Sequence, residues 1–236
     1  MVSGLTMVAT SCKAFFPSFW PMSANGERKT SQSVGNGGGV TSSRKVGSNI
    51  LTKRGQGKLI PHGIYDLVNH HAHIHLNTSH DTSELCCDSM ALWWEQAGRA
   101  AHPQAKRLLV LGDGGGSNSV TQYLLKEDLQ GLANRLGLEM RVAHYPPYCS
   151  KHHPIEHRVF PHITRACQGV IFHTVDIARH FIERTKTTTG LRVTVRLLDK
   201  MYQTGRTYAA DFKHNMKIVF DDHLPKWNYR AVPEGT

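Results

Sequence analysis

The chain has little cysteine, and the little it has does not pair off. Cys12, Cys86, Cys87, Cys149 and Cys167 are an odd count with no CxxC spacing, which argues against a disulfide framework and against a structural zinc site built on cysteine pairs. A reducing, cytoplasmic setting fits. Long apolar runs are missing too: charged residues, His or Gly interrupt every hydrophobic stretch of the 236 residues. None approaches the ~18 consecutive apolar positions that a membrane-spanning helix needs. There is no GxGxxG and no GxxxxGK[ST], so dinucleotide and P-loop nucleotide binding find no motif. Acids are nearly absent from the first 60 residues, where Glu27 stands against Lys13, Arg28, Lys29, Arg44, Lys45, Lys53, Arg54 and Lys58. That segment carries +7 of the formal +10, while the other 176 residues are close to balanced. Such a distribution suits a polyanionic partner without requiring one.

Residues 1–50 are rich in Gly, Ser, Thr and Asn and keep no sustained period of 2 or 3.6, which predicts a disordered or unrelated N-terminal segment. Ser-rich and basic, the stretch imitates an organellar transit peptide, but no Arg-bearing amphipathic helix accompanies it. From Leu51 onward strand and helix patterns alternate. Leu59–Leu67 and Ala72–Asn77 read as two strands about a turn at Val68–His71, the second alternating Ala72, Ile74 and Leu76 with His71, His73 and His75. Asp81-Thr82-Ser83-Glu84 has the form of a capping box, with Asp81 as the N-cap of a helix that ends near Gly98. Arg107–Leu111 is an apolar run of the kind found in strands covered on both faces. A helix from Ser117 through Leu136 should close on Gly137, and a strand follows at Glu139–His144. Ile155–Cys167 reads as a helix kinked at Pro161, then come a helix at Val175–Lys186, a strand at Leu191–Leu198 and a mixed tail. The class is α/β.

Two carboxylates stand out. Asp113 lies at the C-terminal end of a buried strand and is followed by Gly114-Gly115-Gly116, a place where ligands bind in open α/β sheets and where missing side chains let a phosphate or a metal approach. A plain Asp in a Gly-rich turn accounts for it equally well. Glu156, 43 residues later, sits in Pro154-Ile155-Glu156-His157-Arg158, at a helix start where the dipole favours a carboxylate in any case. Lys151, His157 and Arg158 could reach phosphates. His152 and His153 have no ligand spacing that would make them a metal site.

The strings around these carboxylates carry a resemblance. Leu109-Val110-Leu111-Gly112-Asp113-Gly114-Gly115-Gly116-Ser117-Asn118 and Tyr145-Pro146-Pro147-Tyr148-Cys149-Ser150-Lys151-His152-His153-Pro154-Ile155-Glu156-His157-Arg158-Val159-Phe160 resemble segments of the Rhodopirellula-type insertion-sequence transposases, whose catalytic domain is of the DDE kind. Pro61-His62-Gly63-Ile64-Tyr65-Asp66, His80-Asp81-Thr82, Trp93-Trp94, Thr187-Thr188-Thr189-Gly190-Leu191 and Trp227-Asn228-Tyr229 extend the likeness, in order, over about residues 51–230.

The resemblance implies an RNase H-like mixed sheet flanked by helices. It implies metal-dependent DNA cleavage and strand transfer at transposon ends, with homo-oligomerisation on the DNA. Asp113 would be the second acidic ligand and Glu156 the third, holding two Mg²⁺ or Mn²⁺ ions; Lys151, His157 and Arg158 would contact DNA. Two-ion sites of this kind activate the attacking oxygen and stabilise the leaving one in an in-line phosphoryl displacement, and hard ions suit carboxylate and phosphate oxygens. The sequence departs from the family in one respect above all. The early strand segment resembling "DTKKKE", which supplies the first acid, has no counterpart before Leu51, and the only aspartates ahead of Asp113 are Asp66, Asp81 and Asp88. Asp66 and Asp81 are the candidates for the missing ligand, although a turn or strand end explains Asp66 better and an N-cap explains Asp81. Further departures are Tyr148-Cys149 for Gly-Thr and His152-His153 for Trp-Asn.

The domain reading that follows has three parts: an unrelated or out-of-frame segment at 1–50, a partial RNase H-like domain at 51–200 without its central first strand, and its C-terminal extension at 201–236. Loss of that strand would leave neighbouring backbone groups unpaired, predicting marginal stability. Function is then an impaired DDE transposase domain or a non-catalytic basic DNA-binding remnant, with a nuclease outside transposition as a third, weaker reading.

Overall fold

The structure, a computed structural model, describes residues 4–11, 50–51, 58–113, 123–146 and 149–235. Its strands are β1 (Leu5–Ser11), β2 (Ile50–Leu51), β3 (Lys58–Asp66), β4 (His71–Asn77), β5 (Arg107–Asp113), β6 (Glu139–Tyr145), β7 (Arg192–Leu197), β8 (Ile218–Phe220) and β9 (Asn228–Ala231). They form one mixed sheet in the order β7-β4-β3-β1-β5-β6-β9-β8, with β2 added to β3. Pairing is parallel for β1 with β5, β5 with β6 and β4 with β7, and antiparallel elsewhere. This is the RNase H-like mixed sheet that the sequence resemblance implies.

The central strand is present. β1 runs antiparallel to β3, from Val8 opposite Asp66 to Ser11 opposite Gly63, and parallel to β5, from Leu5 beside Arg107 to Thr10 beside Gly112. The expectation of a missing first strand, and of residues 1–50 unstructured throughout, is therefore corrected over residues 5–11 and at Ile50, which pairs with Leu59; residues 12–49 lie outside the described residues. The physical reason is plain. Leu5-Thr6-Met7-Val8-Ala9-Thr10 is an uncharged, β-compatible run, and a strand covered on both faces has no alternation for a periodicity test to find. With β1 in place the neighbouring strands have their ladder partners, and the argument for marginal stability falls.

Helices cover both faces. On one lie α1 (Ser83–Trp93), which continues through a π-helical turn (Trp94–Gly98) into α2 (Arg99–Ala101), and α3 (Tyr123–Leu136). They enclose a core of Val8, Ile64, Met90, Trp93, Leu108, Val110, Leu129 and Met140. On the other lie α4 (Pro154–Arg158), α5 (Phe160–Ala166) and α6 (Val175–Glu183). Ile155, Val159, Phe160, Ile163 and Ile182 pack there against Ala9, Tyr65 and Ile74. A short α7 (Phe212–Asn215) precedes β8, and β9 joins the tail to β6. Among the described residues no helix is long and apolar enough to cross a membrane.

Local details refine the sequence reading. The N-cap of α1 is Thr82, whose Oγ1 accepts the Leu85 N–H at 3.1 Å, and not Asp81. Gly98 does not end the helix: a Cβ there would lie 2.7 Å from the Trp94 ring and 3.1 Å from that of Trp93, so the glycine makes room for two indoles inside a continuing helix. The 155–167 helix breaks at Val159 (φ −122°, ψ −60°), with Pro161 in the first turn of α5, where its missing N–H costs no helical bond. Gly137, at φ +67°, closes α3 as expected, and its N–H and that of Leu138 both reach the Ala133 carbonyl.

Candidate functional site

The C-terminal ends of β1 and β5 lie side by side, because these two strands are parallel and central. Successive rungs pair Ala9 with Leu111 and Thr10 with Gly112, so the next rung brings Ser11 beside Asp113. Strand alternation turns Ala9, Ser11, Leu111 and Asp113 to the α4 face. There α4 delivers Glu156, and the fully buried Ser11 hydroxyl donates to Glu156 Oε1 at 3.0 Å. Glu156 and Asp113 are both half-buried.

The side chains of α4 and α5 come close to the sheet at a glycine. Gly63 of β3 lies directly opposite Ser11, and a Cβ on it would stand 2.9 Å from Ile155 Cδ1 and 3.2 Å from Phe160 Cε1. Without a Cβ, Ile155 seats against the sheet, and the next residue in the chain, Glu156, is carried to the end of β1.

Two histidines hold the strand ends. His153 is wholly buried just ahead of α4; its Nε2–H donates to the Leu111 carbonyl at 3.1 Å, its ring lies against Tyr145 with centroids 5.0 Å apart, and its own carbonyl accepts the Glu156 N–H. It fastens the loop before Glu156 to β5. On the opposite face His144 Nδ1 donates to the Asp113 carbonyl at 3.2 Å, and its Nε2 takes the Tyr229 hydroxyl at 3.0 Å. Burial lowers the His144 pKa to about 4, which keeps the ring neutral and leaves Nε2 free to accept.

Asp66 is placed elsewhere. It lies opposite Val8, three rungs from Ser11, and alternation turns it to the α1 face. Its carboxylate accepts the N–H groups of Val68 and Asn69, the Asn69 amide at 2.8 Å and His102 Nε2 at 2.7 Å. Despite the desolvation that opposes it, this set of donors holds the Asp66 pKa below the usual carboxylate value. The turn reading is the one that accounts for Asp66, and it makes no third ligand beside Asp113 and Glu156. Lys151, His152, His157 and Arg158 are exposed around α4. Gly114–Asn118 lie outside the described residues.

Ser11 is the site residue that sequence reasoning missed. The one trace of it in the sequence is the uncharged run from Leu5 to Thr10, which carries no alternation to mark a strand or its end.

A pair of divalent ions needs carboxylates on more than two sides. Asp113 and Glu156 would supply two, the group hydrogen-bonded to Glu156 is the neutral hydroxyl of Ser11, and among the described residues no three His, Cys, Asp or Glu side chains come together as a metal-holding group. The only acid in the sequence outside the described residues is Glu27. This donor set does not fit a two-ion centre.

Comparison with known proteins gives the lineage. No curated protein matches this chain. A solved structure, the Mos1 transposase paired-end complex with left transposon end, is similar over 76% of this chain, with a TM-score of 0.44 and 12% sequence identity; the chain spans 46% of that protein's length. The model of the Rhodopirellula transposase DDE domain matches residues 32–233, most of the sequence and both carboxylates. Membership carries an expectation of divalent-metal use, which the donor set at β1 and α4 does not meet. The chain belongs to the Rhodopirellula transposase DDE domain family.

Proposed function

We propose that this protein is a DNA-binding DDE-type transposase domain that docks on transposon ends and is crippled in strand transfer. The observation that supports the reading is the Ser11–Glu156 hydrogen bond, which sets a neutral hydroxyl, and not a carboxylate, against Glu156. Asp113 and Glu156 are the catalytic carboxylates, and Lys151, His157 and Arg158, exposed around α4, meet the DNA phosphates. Mg²⁺ or Mn²⁺ is the metal in intact relatives. The partner is DNA, bound by a homo-oligomer, and the free thiols of Cys86, Cys87, Cys149 and Cys167 suit cytoplasmic surroundings.

The test is a nicking and strand-transfer assay with Mg²⁺ or Mn²⁺ on duplex DNA, run beside binding at several salt concentrations. Trace nicking should vanish in Asp113→Asn and Glu156→Gln. Nicking that persists in both variants removes these residues from the mechanism. Binding should weaken steeply with salt, and loss of Lys151 and Arg158 together should reduce the log–log salt slope by about 2, roughly one unit per phosphate contact. The neutral hydroxyl against Glu156 also favours a second reading, a DNA-binding remnant with no residual chemistry. Salt-sensitive binding with no nicking at any metal concentration would select it.

A further inference from the structure

We infer that Ser11 has replaced metal as the bridge between β1 and α4, so that this chain's site closes on a serine–glutamate hydrogen bond and folds without divalent ions. The inference rests on the reading of Asp113 and Glu156 as descendants of a catalytic pair. Ser11 is fully buried, follows Thr10, the last β1 residue in register with β5, and donates to Glu156 at 3.0 Å. In a two-ion site the ions offset the mutual repulsion of carboxylates that a strand and a helix bring together. Here the group against Glu156 is neutral and is itself a donor, so the helix carboxylate is held by a hydrogen bond and the site carries one negative charge fewer. A bridge of this kind needs no cation, because the Glu156 carboxylate is held by a neutral donor. His153 and His144, which tie the loop before Glu156 and the end of β5 to the sheet through backbone carbonyls, support the same closed arrangement without metal.

The bridging residue makes a reversible prediction. In Ser11→Asp a third carboxylate would stand at the buried end of β1 beside the half-buried Glu156 and Asp113, which like-charge repulsion and desolvation oppose unless a cation intervenes. The experiment is thermal melting and Mn²⁺ titration of the full chain, with Mg²⁺ in parallel, on the wild type, Ser11→Asp and the neutral isostere Ser11→Asn. The wild type and Ser11→Asn should melt at temperatures that do not respond to Mn²⁺. Ser11→Asp should melt lower than wild type in chelator, recover with Mn²⁺ and bind the ion at least roughly tenfold tighter than wild type, as added ligand charge raises affinity. Adding Asp113→Asn to Ser11→Asp should abolish that gain.

If Ser11→Asp does not fold in chelator, refolding in Mn²⁺ followed by circular dichroism decides: folding only with the ion supports the inference. Failure with and without the ion, where Ser11→Asn folds, overturns it. A wild type that binds Mn²⁺ as tightly as Ser11→Asp overturns it, and so does a gain in Ala9→Asp that Ser11→Asp does not show. Failure of the underlying transposase reading shows separately, as wild-type protein that does not bind duplex DNA in low salt.

Discussion

The two faces of the sheet treat their polar groups in opposite ways. On the α4 side the buried layer is apolar, built from Ala9, Tyr65, Ile155, Val159, Phe160 and Ile163, and the charged groups sit only at the strand ends, where Ser11 meets Glu156. On the α1 side a row of histidines runs through the interior. His62 of β3 pairs across the ladder with His75 of β4, and His73 and His71 continue the row, His73 lying edge-on to Trp93. Both ring nitrogens of His62, Nδ1 of His75, Ser89 Oγ and Trp93 Nε1 are buried without a hydrogen-bond partner among the described residues. The helical face that holds the candidate site buries one histidine, His153, whereas the row of buried imidazoles lies on the face behind it. Stability and site geometry are separable in this molecule, because the groups that cost most to bury are not those that face the carboxylates.

The largest expected effect tests that separation with acid. Burial lowers the pKa of His62 to about 4 and those of His73 and His75 to about 3, from an unfolded value of 6.5. For His73 and His75 the neighbouring histidines add to the shift. Between about pH 6.5 and these lowered values the unfolded chain binds protons that the folded chain refuses, so stability rises with pH through this window and is lost as pH falls. His62 alone should cost about 3 kcal/mol of stability by pH 4. Melting followed from pH 7 to pH 4 should show a steep fall, which His62→Phe makes shallower. A melting temperature that is flat across this range would mean that the histidine row is not buried.

A smaller effect breaks the apolar face. Gly63→Ala makes the Ile155 Cδ1 methyl and the Phe160 ring shift and should cost about 1–3 kcal/mol by overpacking. Because Glu156 follows Ile155, the same variant should disturb the site, whereas Gly131→Ala, in open space on α3, should leave both stability and DNA binding intact. Equal melting temperatures for the two variants would refute the close seating of α4.

The smallest effect sharpens the contrast at the strand ends. Ser11→Ala removes the donor to Glu156 and should cost about 1 kcal/mol, a drop of roughly 2–4 °C in melting temperature for a chain of this size. That loss should be the same at pH 5 and pH 8, unlike the histidine effect, since the serine does not titrate. A pH-dependent loss would tie the two faces together.

Much of this architecture was legible in the residues. The alternation of Ala72, Ile74 and Leu76 with histidines marked β4, the run before Asp113 marked β5, and Gly137 marked the end of α3. The strings about Asp113 and Glu156 carried the family, which the match over residues 32–233 bears out. β1 was not legible, since a short strand covered on both sides shows neither alternation nor length. Nor was the role of Gly98, because a glycine that ends a helix and one that clears space for two tryptophans look the same in one dimension.

The sequence by itself determined which side chains are available: two carboxylates in family context, one acid in the first 60 residues, and a Gly63 in place of any residue with a Cβ. The tertiary structure alone decided what those side chains do together. Ser11 and Glu156 are 145 residues apart, and only the parallel rung of β1 with β5 and the seating of α4 on Gly63 bring hydroxyl to carboxylate. Asp66, nearer to Ser11 in the sequence, ends on the other face because strand alternation and a turn direct it there. Chain order sets no distance across a sheet; hydrogen-bonded register and side-chain alternation set it.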